Sequence, residues 1–247
     1  MAAIMAGFDT ETTGTDPVND DICQFACIVH RDSDPEDHTL SFDMLCNPGR
    51  PIHPDASAIH KITDEMVVDA RPAGEVVFEW LDELCQLANQ RQETLILMGH
   101  NTQFDRRFIA KHVVVPPEVK TICTMRLARR IVPEATNHTL EYLYREHYKL
   151  SSPRTLTAHD ALCDVWMCFE LIQHWQACKY LPTDYRAIAD SLETPYTLPV
   201  MPFSKKHKGK PFSQIPRFFL QWLVDQGDDM DIDVRHTAQV WLRGPRG

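Results

Sequence analysis

The sequence predicts an α/β protein with a mixed five-stranded sheet flanked by helices, followed by a small, basic C-terminal module. Three observations support this fold class. Three strand-like segments come first along the chain, alternating strand and helix patterns follow them, and the composition changes after residue 180. Early strands that follow one another directly, joined to later strands through helices, are typical of a mixed sheet.

The individual elements follow from their apolar patterns. Strands are predicted near residues 3–9, 22–30, 38–46, 95–100 and 120–123. Helices are predicted near residues 74–90, 104–112, 124–132, 139–148 and 160–178. These patterns predict a main domain at 1–180, a linker at 181–199 that contains three prolines and a helix-like stretch, and the C-terminal module at 200–247.

Length and composition agree with this organisation. The 247 residues suffice for one main domain with a sizeable core and a small appendix. The sequence contains no run of about 18 apolar residues, and its N-terminus lacks a basic stretch followed by a long apolar run. The eight cysteines include no CxxC pair, which favours reduced thiols in the core. We therefore expect a cytoplasmic protein without membrane association.

An acidic pair lies at the end of the first predicted strand. Asp9 and Glu11 are two residues apart in FDTETTG, so their side chains project to the same side of a strand. Such a pair is often only a solvated edge, but two neighbouring carboxylates also attract a cation. Thr12, Thr13 and Gly14 follow as a predicted turn whose NH groups and hydroxyls can hold a nucleotide. Gly14 is expected to adopt dihedral angles that a side chain would forbid.

Three more candidates lie far along the chain. Asp105 follows a predicted strand in HNTQFD, and His159 and Asp164 lie in HDALCD. The five-residue spacing favours His159 on the loop before a helix, with Asp160 as N-cap and Asp164 in the first turns. Structural roles stay open for each, since a helix dipole stabilises a carboxylate in the first turn and a loop histidine is often structural.

The combination of these residues points to one chemistry. The carboxylates of Asp9, Glu11, Asp105 and Asp164 are hard oxygen ligands, which favour Mg²⁺ or Mn²⁺ over zinc. Four carboxylates suit two divalent ions, which lie roughly 3.5–4 Å apart in nucleases that cleave phosphodiester bonds. His159 is the candidate base, because an unperturbed imidazole has a pKa of about 6.5. The sequence therefore predicts a nuclease centre with two Mg²⁺ ions, for which Mn²⁺ can substitute.

These motifs resemble those of the DEDDh, or DnaQ-like, exonuclease superfamily, which carries DxExTG, HNxxFD and HxAxxD in this order. Within it, AIHKITDEMV, ICTMRLARRIVP and PFSKKHKGKPFSQI are similar to the exodeoxyribonuclease X group, so the likeness covers nearly the whole chain. The resemblance implies a ribonuclease H-like fold and 3′ to 5′ release of nucleoside 5′-monophosphates from DNA. It also implies that the four carboxylates bind metal and that His159 is the base. Gln24 departs from the group, whose members often have a glutamate there.

The charge distribution identifies a basic stretch. The chain has a net charge of −10, but residues 196–224 contribute +5, which leaves −15 for the rest. Candidate nucleic-acid contacts in this stretch are Lys205, Lys206, Lys208 and Lys210. Neighbouring aromatic residues can stack on bases, yet we expect most of them in a local core, because FFLQWL has the spacing of a buried helix face. Ser204 and His207 occupy places where the group usually has a glycine and an aromatic residue.

Two further residues are candidates for substrate contact. His60 resembles a family residue that lines the nucleotide pocket, and Asn101 can bond either DNA or the backbone beside Asp105. The predicted function is a Mg²⁺-dependent 3′ to 5′ exodeoxyribonuclease acting on the 3′ ends of single-stranded or duplex DNA. Two alternatives stay open: an exoribonuclease of the same superfamily, which a pocket for the ribose 2′-hydroxyl would distinguish, and a catalytically silent nucleic-acid-binding module.

Overall fold

The computed structural model describes residues 2–31, 40–151 and 160–244. Its contacts divide the chain into two compact units. The first comprises Met1–Thr124 and Leu150–Asp190, and the second comprises Met125–Lys149 and Ser191–Gly247. The second unit therefore includes Met125–Lys149, a segment that the sequence assigned to the main domain, because long-range ion pairs join this segment to the C-terminal residues.

The first unit contains a six-stranded mixed sheet. Its strands are β1 (Ala3–Thr12), β2 (Ile22–Arg31), β3 (Leu40–Asn47), β4 (Arg71–Pro72), β5 (Thr94–Gly99) and β6 (Lys120–Cys123), in the order β4-β3-β2-β1-β5-β6. Strands β1, β2 and β3 are antiparallel, whereas β5 is parallel to both β1 and β6. The five predicted strands are confirmed. The prediction missed β4, because two exposed residues carry no apolar alternation.

Helices follow the predicted order with some additions. They are α1 (Pro54–His60), α2 (Asp64–Val67), α3 (Ala73–Arg91), α4 (Thr102–Ile109), α5 (Thr124–Ile131), α6 (Ala161–Ala177), α7 (Tyr185–Glu193), α8 (Arg217–Asp225) and α9 (Ile232–Arg243). The helix predicted over 139–148 is a short π-helical turn at Tyr142–His147. Within the described residues, no helix has the length and apolar character needed to cross a membrane.

The central strand β1 is covered on both faces. On one face, Phe8 packs against Trp80 of α3, with ring centroids 5.7 Å apart. On the other face Gly7 faces α6, and a Cβ at this position would lie 2.5 Å from the ring of Phe169. Because successive residues of a strand point to opposite faces, every second residue from Gly7 onward lies on the side of α6. This close packing places the end of β1 beside the first turns of α6.

The second unit has its own small core. Its buried members are Leu198, Met201, Phe212, Ile215, Leu220, Leu223, Val234 and Ala238. The carboxylate of Asp233 is fully buried and accepts hydrogen bonds from Arg126 and Arg130, at 2.9 and 2.8 Å to its Oδ1. The backbone NH of Tyr196 donates to the same oxygen at 2.9 Å. This carboxylate therefore joins Met125–Lys149 to the C-terminal segment.

Candidate active site

Three of the predicted carboxylates lie together in the first unit. Asp9 and Glu11 follow Gly7 on the α6 side of β1, and Asp164 lies in the first turn of α6. Each offers an oxygen atom, and these three oxygens lie within 4.8 Å of one another. Such a cluster of hard oxygen donors fits a divalent cation, as expected from the sequence.

The fourth carboxylate is held separately. Asp105 lies in the first turn of α4 and is only 4% exposed. Its Oδ1 accepts hydrogen bonds from the hydroxyl of Thr10 at 2.6 Å and from the NH of Thr10 at 3.2 Å. Asp105 is therefore fixed beside β1, although it stands outside the group formed by Asp9, Glu11 and Asp164 among the described residues.

The pKa values show how strongly this site concentrates negative charge. Burial, followed by the charges of Asp105 and Asp164, raises the pKa of Asp9 well above its ordinary value. Burial and the charge of Asp164 raise the pKa of Glu11 to about 8. Burial also raises the pKa of Asp105 to about 6, against the hydrogen bonds from Thr10. Full ionisation of this centre is therefore costly unless a cation compensates the repulsion.

The start of α6 adds a carboxylate that the sequence did not assign to this centre. The predicted N-cap is confirmed, since Asp160 Oδ1 accepts a hydrogen bond from the NH of Cys163 at 3.1 Å. The charge of Asp160 is among those that raise the pKa values of Asp9 and Glu11. His159, the predicted base, lies outside the described residues, so its role stays a prediction.

Gln24, the position at which the sequence departs from the resembled group, contacts a carboxylate of the neighbouring strand. It lies opposite Glu11 on the neighbouring strand, and its Nε2 donates a hydrogen bond to Asp43 Oδ1 at 2.7 Å. Burial raises the pKa of Asp43. A glutamate at position 24 would bring one more carboxylate against Asp43, whereas the amide supplies a donor. Asp43 carried no sequence motif that would have identified it.

A cleft of about 520 Å³ opens beside Glu11. Its lining includes Thr12, Gly14, His60 and Phe104. His60 Nδ1 accepts a hydrogen bond from the NH of Ile62 at 3.1 Å, so its Nε2 carries the proton and donates to the carbonyl of Thr12 at 3.3 Å. His60 therefore supports the turn that forms one wall of the cleft.

The turn itself differs from the sequence expectation in two respects. Thr13 has no exposed surface, and its hydroxyl donates to Asp20 Oδ1 at 3.0 Å, so it serves the turn internally. Gly14 does not have the positive φ expected for it. The glycine is needed for space instead, because a Cβ would lie 2.4 Å from the carboxylate of Asp20. Thr12 donates its hydroxyl to the carbonyl of Gly14 at 2.6 Å.

Asn101 immediately precedes α4 in a left-handed conformation. Its φ and ψ are 61° and 41°, which asparagine tolerates better than most residues, and its side chain is exposed. The neighbouring His100 bonds Thr124 Oγ1 through Nδ1 at 2.9 Å. Asn101 therefore lies four residues before Asp105, available to a ligand, and its contact with substrate stays a prediction.

The second unit carries the lysine loop, which we define as residues 204–210. All four of its lysines are exposed. The loop is closed at its base by hydrogen bonds from Met201 to Lys210 at 2.9 Å and from Gly209 to Met201 at 2.8 Å. Ser204 has a φ of 86° and Gly209 a φ of 76°. A glycine, which adopts positive φ without strain, would suit the backbone at Ser204.

The backbone conformation of this loop predicts how two substitutions change the free energy of unfolding. Gly209→Ala is expected to lower the free energy of unfolding by about 1 kcal/mol, because alanine is strained at positive φ. No atom of the described residues lies within 4 Å of the added Cβ, so the expected effect is conformational. Ser204→Gly relieves the same kind of strain and is expected to act in the opposite direction. Urea unfolding of both variants measures this, and a stabilising Gly209→Ala would contradict it.

The fold and the site together define a class of protein. A mixed sheet whose central strand and a following helix bring carboxylates together is the architecture of exonucleases with a ribonuclease H-like fold. The profile of the RNase_T family, described as "Exonuclease", matches residues 6–172, and the chain belongs to this family. It is an exonuclease of the DnaQ-like superfamily.

Individual relatives agree with this assignment. Exodeoxyribonuclease 10 of Escherichia coli K12 is 28% identical over 243 residues, which cover 95% of this chain and 96% of the relative. A solved structure of exonuclease X in complex with 5′-overhanging duplex DNA is also 28% identical. It covers 75% of this chain and 98% of its own, with a TM-score of 0.55. The structure of Escherichia coli exonuclease I in complex with a dT13 oligonucleotide shares the fold, with a TM-score of 0.56 at 20% sequence identity. The match covers 78% of this chain and 44% of exonuclease I.

Proposed function

We propose that this exonuclease is a Mg²⁺-dependent 3′ to 5′ exodeoxyribonuclease that releases nucleoside 5′-monophosphates from DNA 3′ ends. The group of three carboxylates at the end of β1 and the start of α6 is the observation that carries this proposal. The similarity to Exodeoxyribonuclease 10 along 95% of the chain supports DNA as the substrate. The solved relatives that hold duplex DNA and an oligonucleotide support it as well.

Asp9, Glu11 and Asp164, with Asp105, would hold two Mg²⁺ ions, and Mn²⁺ can take their place. The donor set fits, because carboxylate oxygens are the ligands that these cations prefer and because the raised pKa values show uncompensated repulsion. When bound, such ions lower the pKa of a water molecule and stabilise the charge of the leaving oxygen.

Other residues of the chain position the carboxylates, bind the substrate and accept the proton. Thr10 holds Asp105 in one orientation, and the close contact of Gly7 with α6 keeps Asp164 beside Asp9. The cleft lined by Thr12, Gly14 and His60 receives the terminal nucleotide, and exposed Asn101 contacts the substrate beside it. In this proposal His159 accepts the proton of the attacking water.

The direct test uses oligonucleotides of one sequence, as DNA and as RNA, labelled at either end and incubated with Mg²⁺. We expect stepwise shortening of 5′-labelled DNA, immediate release of the label from 3′-labelled DNA, and no such cleavage in Asp9→Ala and His159→Ala. Asp69→Ala, which removes an exposed carboxylate away from the site, is the matched control and stays active. Equal cleavage of RNA would favour an exoribonuclease, and inertness towards both strands would favour a silent binding module.

The four lysines of the lysine loop are proposed to contact the phosphates of longer substrates. Replacing all four by Gln is expected to weaken binding of a long oligonucleotide and to lower the slope of log affinity against log salt by about 3. Turnover of a thymidine monophosphate nitrophenyl ester stays unchanged, because this substrate needs only the catalytic unit. Fluorescence anisotropy at several salt concentrations measures the slope, and equal losses on both substrates would contradict the proposal.

A further inference from the structure

The second unit exposes two large aromatic side chains beside the lysine loop. Of the six aromatic residues in this basic stretch, Phe212 is fully buried, and Phe203 and Phe219 pack partly against the local core, as expected from the sequence. The ring of Tyr196 is covered by the guanidinium group of Arg130, 5.4 Å from its centroid. Phe218 and Trp222 remain 74% and 46% exposed. Two large aromatic side chains exposed next to each other form an apolar patch, and such patches often mark binding sites.

The two side chains form one surface. Phe218 and Trp222 are four residues apart on α8, so they are neighbours on the same face of the helix, roughly 5–6 Å apart at their Cβ atoms. Phe219 stacks on Trp222, with ring centroids 5.3 Å apart and an angle of 27° between the planes. This contact holds the indole ring in place. We call Phe218 and Trp222 the aromatic surface.

The lysine loop is anchored to the same helix. His207, in the middle of the loop, is 5% exposed, and its ring lies 4.8 Å from that of Phe219. Burial, followed by the charges of Lys210 and Lys206, lowers the pKa of His207. His207 thus occupies the aromatic position of the group as a neutral packing residue. Its contact with Phe219 attaches the loop that carries the exposed lysines to the helix that carries Phe218 and Trp222.

We infer that the aromatic surface stacks on the bases of a single DNA strand whose phosphates bind the lysine loop. Exposed rings next to cations, in a stretch of 29 residues without any acidic side chain, are complementary to an anionic chain that carries planar groups. Duplex DNA hides its base faces, so a single strand is the ligand. The spacing of two rings on one helix turn suits one or two bases. This inference deepens the proposed function, on which it rests.

Binding of two strands of equal charge tests the inference in the full-length protein. One is a fluorescein-labelled oligothymidylate of twelve residues, and the other is an abasic strand of the same length. Both are titrated in EDTA, so that no cleavage occurs. We expect the wild-type protein to bind the thymidylate about tenfold more tightly than the abasic strand, because base stacking adds to the phosphate contacts.

The variants separate stacking from charge. Phe218→Ala/Trp222→Ala is expected to lose the preference for the thymidylate and to keep its affinity for the abasic strand, whereas Trp222→Tyr retains the preference. The fourfold Lys→Gln variant loses affinity for both strands. Phe78→Ala, which removes an aromatic side chain that is 59% exposed on α3, is the matched control and behaves as wild type.

Several results would overturn the inference. These are an unchanged preference in the double alanine variant, an equal loss on both strands, or a concentration-dependent self-association that the double variant abolishes while binding of the thymidylate persists. The binding measurement in EDTA does not depend on catalysis. Failure of the proposed exonuclease activity is therefore distinguished from failure of the stacking inference. A protein that prefers the thymidylate but leaves DNA intact with Mg²⁺ contradicts the exonuclease proposal alone.

Discussion

Glu11→Gln is expected to reduce exonuclease activity by about 10³-fold or more and, at the same time, to stabilise the metal-free protein at neutral pH. The loss of activity follows from removing a charged ligand from the group with Asp9 and Asp164. The gain in stability follows from the same geometry, because burial and the charge of Asp164 oppose ionisation of Glu11. An amide has no charge to repel.

The pH dependence of this gain has a definite sign. The pKa of Glu11 is raised from 4.5 to about 8 in the folded protein. Between these values the unfolded chain ionises this group while the folded protein keeps its proton, so the free energy of unfolding falls as the pH rises. The penalty is complete only well above pH 8, where it is on the order of 5 kcal/mol. Below pH 4.5 the wild type and Glu11→Gln should be equally stable.

Urea unfolding in EDTA at several pH values between 4 and 9 measures this effect. Asp69→Asn, an exposed substitution outside the site, is the control for a general change of charge. Adding Mg²⁺ should stabilise the wild type and much less so Glu11→Gln, because only an intact ligand group binds the ion well. A metal-free Glu11→Gln protein that is less stable than the wild type at pH 8 would show that this carboxylate is not repelled.

Asp233→Asn is expected to cost about 3–5 kcal/mol, mainly in the second unit, because it breaks a buried ion pair and leaves two guanidinium groups without their counter-charge. The side chain of Asp233 has no exposed surface, and the side chains of Arg126 and Arg130 that contact it are only 16% and 15% exposed. Burial alone would raise the pKa of Asp233, but hydrogen bonds from the two arginines outweigh it and hold this pKa below its usual range. Its stabilising contribution is therefore present above the ordinary pKa of 3.8 and is lost as the pH falls below that value.

A solvent-exposed ion pair in the same unit provides the control. Asp228 and Arg235 approach to 2.6 Å, but the side chain of Asp228 is 98% exposed. Asp228→Asn should therefore change the free energy of unfolding by about 0–1 kcal/mol. Thermal and urea unfolding of the two variants give the comparison. Similar effects of both substitutions would mean that the burial of Asp233 does not determine its contribution.

The Asp233 network also shows where sequence patterns stop being informative. The motif residues were found because their spacing is local: Asp9 and Glu11 share a strand face, and Asp160 caps the helix that carries Asp164. Nothing local connects Asp233 with Arg126, which lies 107 residues away. The sequence therefore predicted the strands and the N-cap, whereas the contacts that place Met125–Lys149 in the second unit join residues too far apart in the chain to form a pattern.

The candidate site shows the same division. The sequence identified the acidic residues and the cations of the lysine loop by type and spacing. It did not predict that Asp105 bonds Thr10, that Gln24 meets Asp43, or that Gly14 is needed for space against Asp20. Each of these contacts involves a side chain from outside the motif. Hydrogen bonds and steric contacts depend on distances of a few ångströms, which the motif spacing does not specify.

The sequence by itself determined the fold class, the order of the main strands and helices, and the residues able to bind a cation. Tertiary structure alone decided which carboxylates share a centre and which aromatic residues of α8 face solvent. The physical reason is that periodicity fixes the direction of a side chain within its own helix or strand. Proximity between distant residues, and with it burial and pKa, arises only when those elements pack against one another.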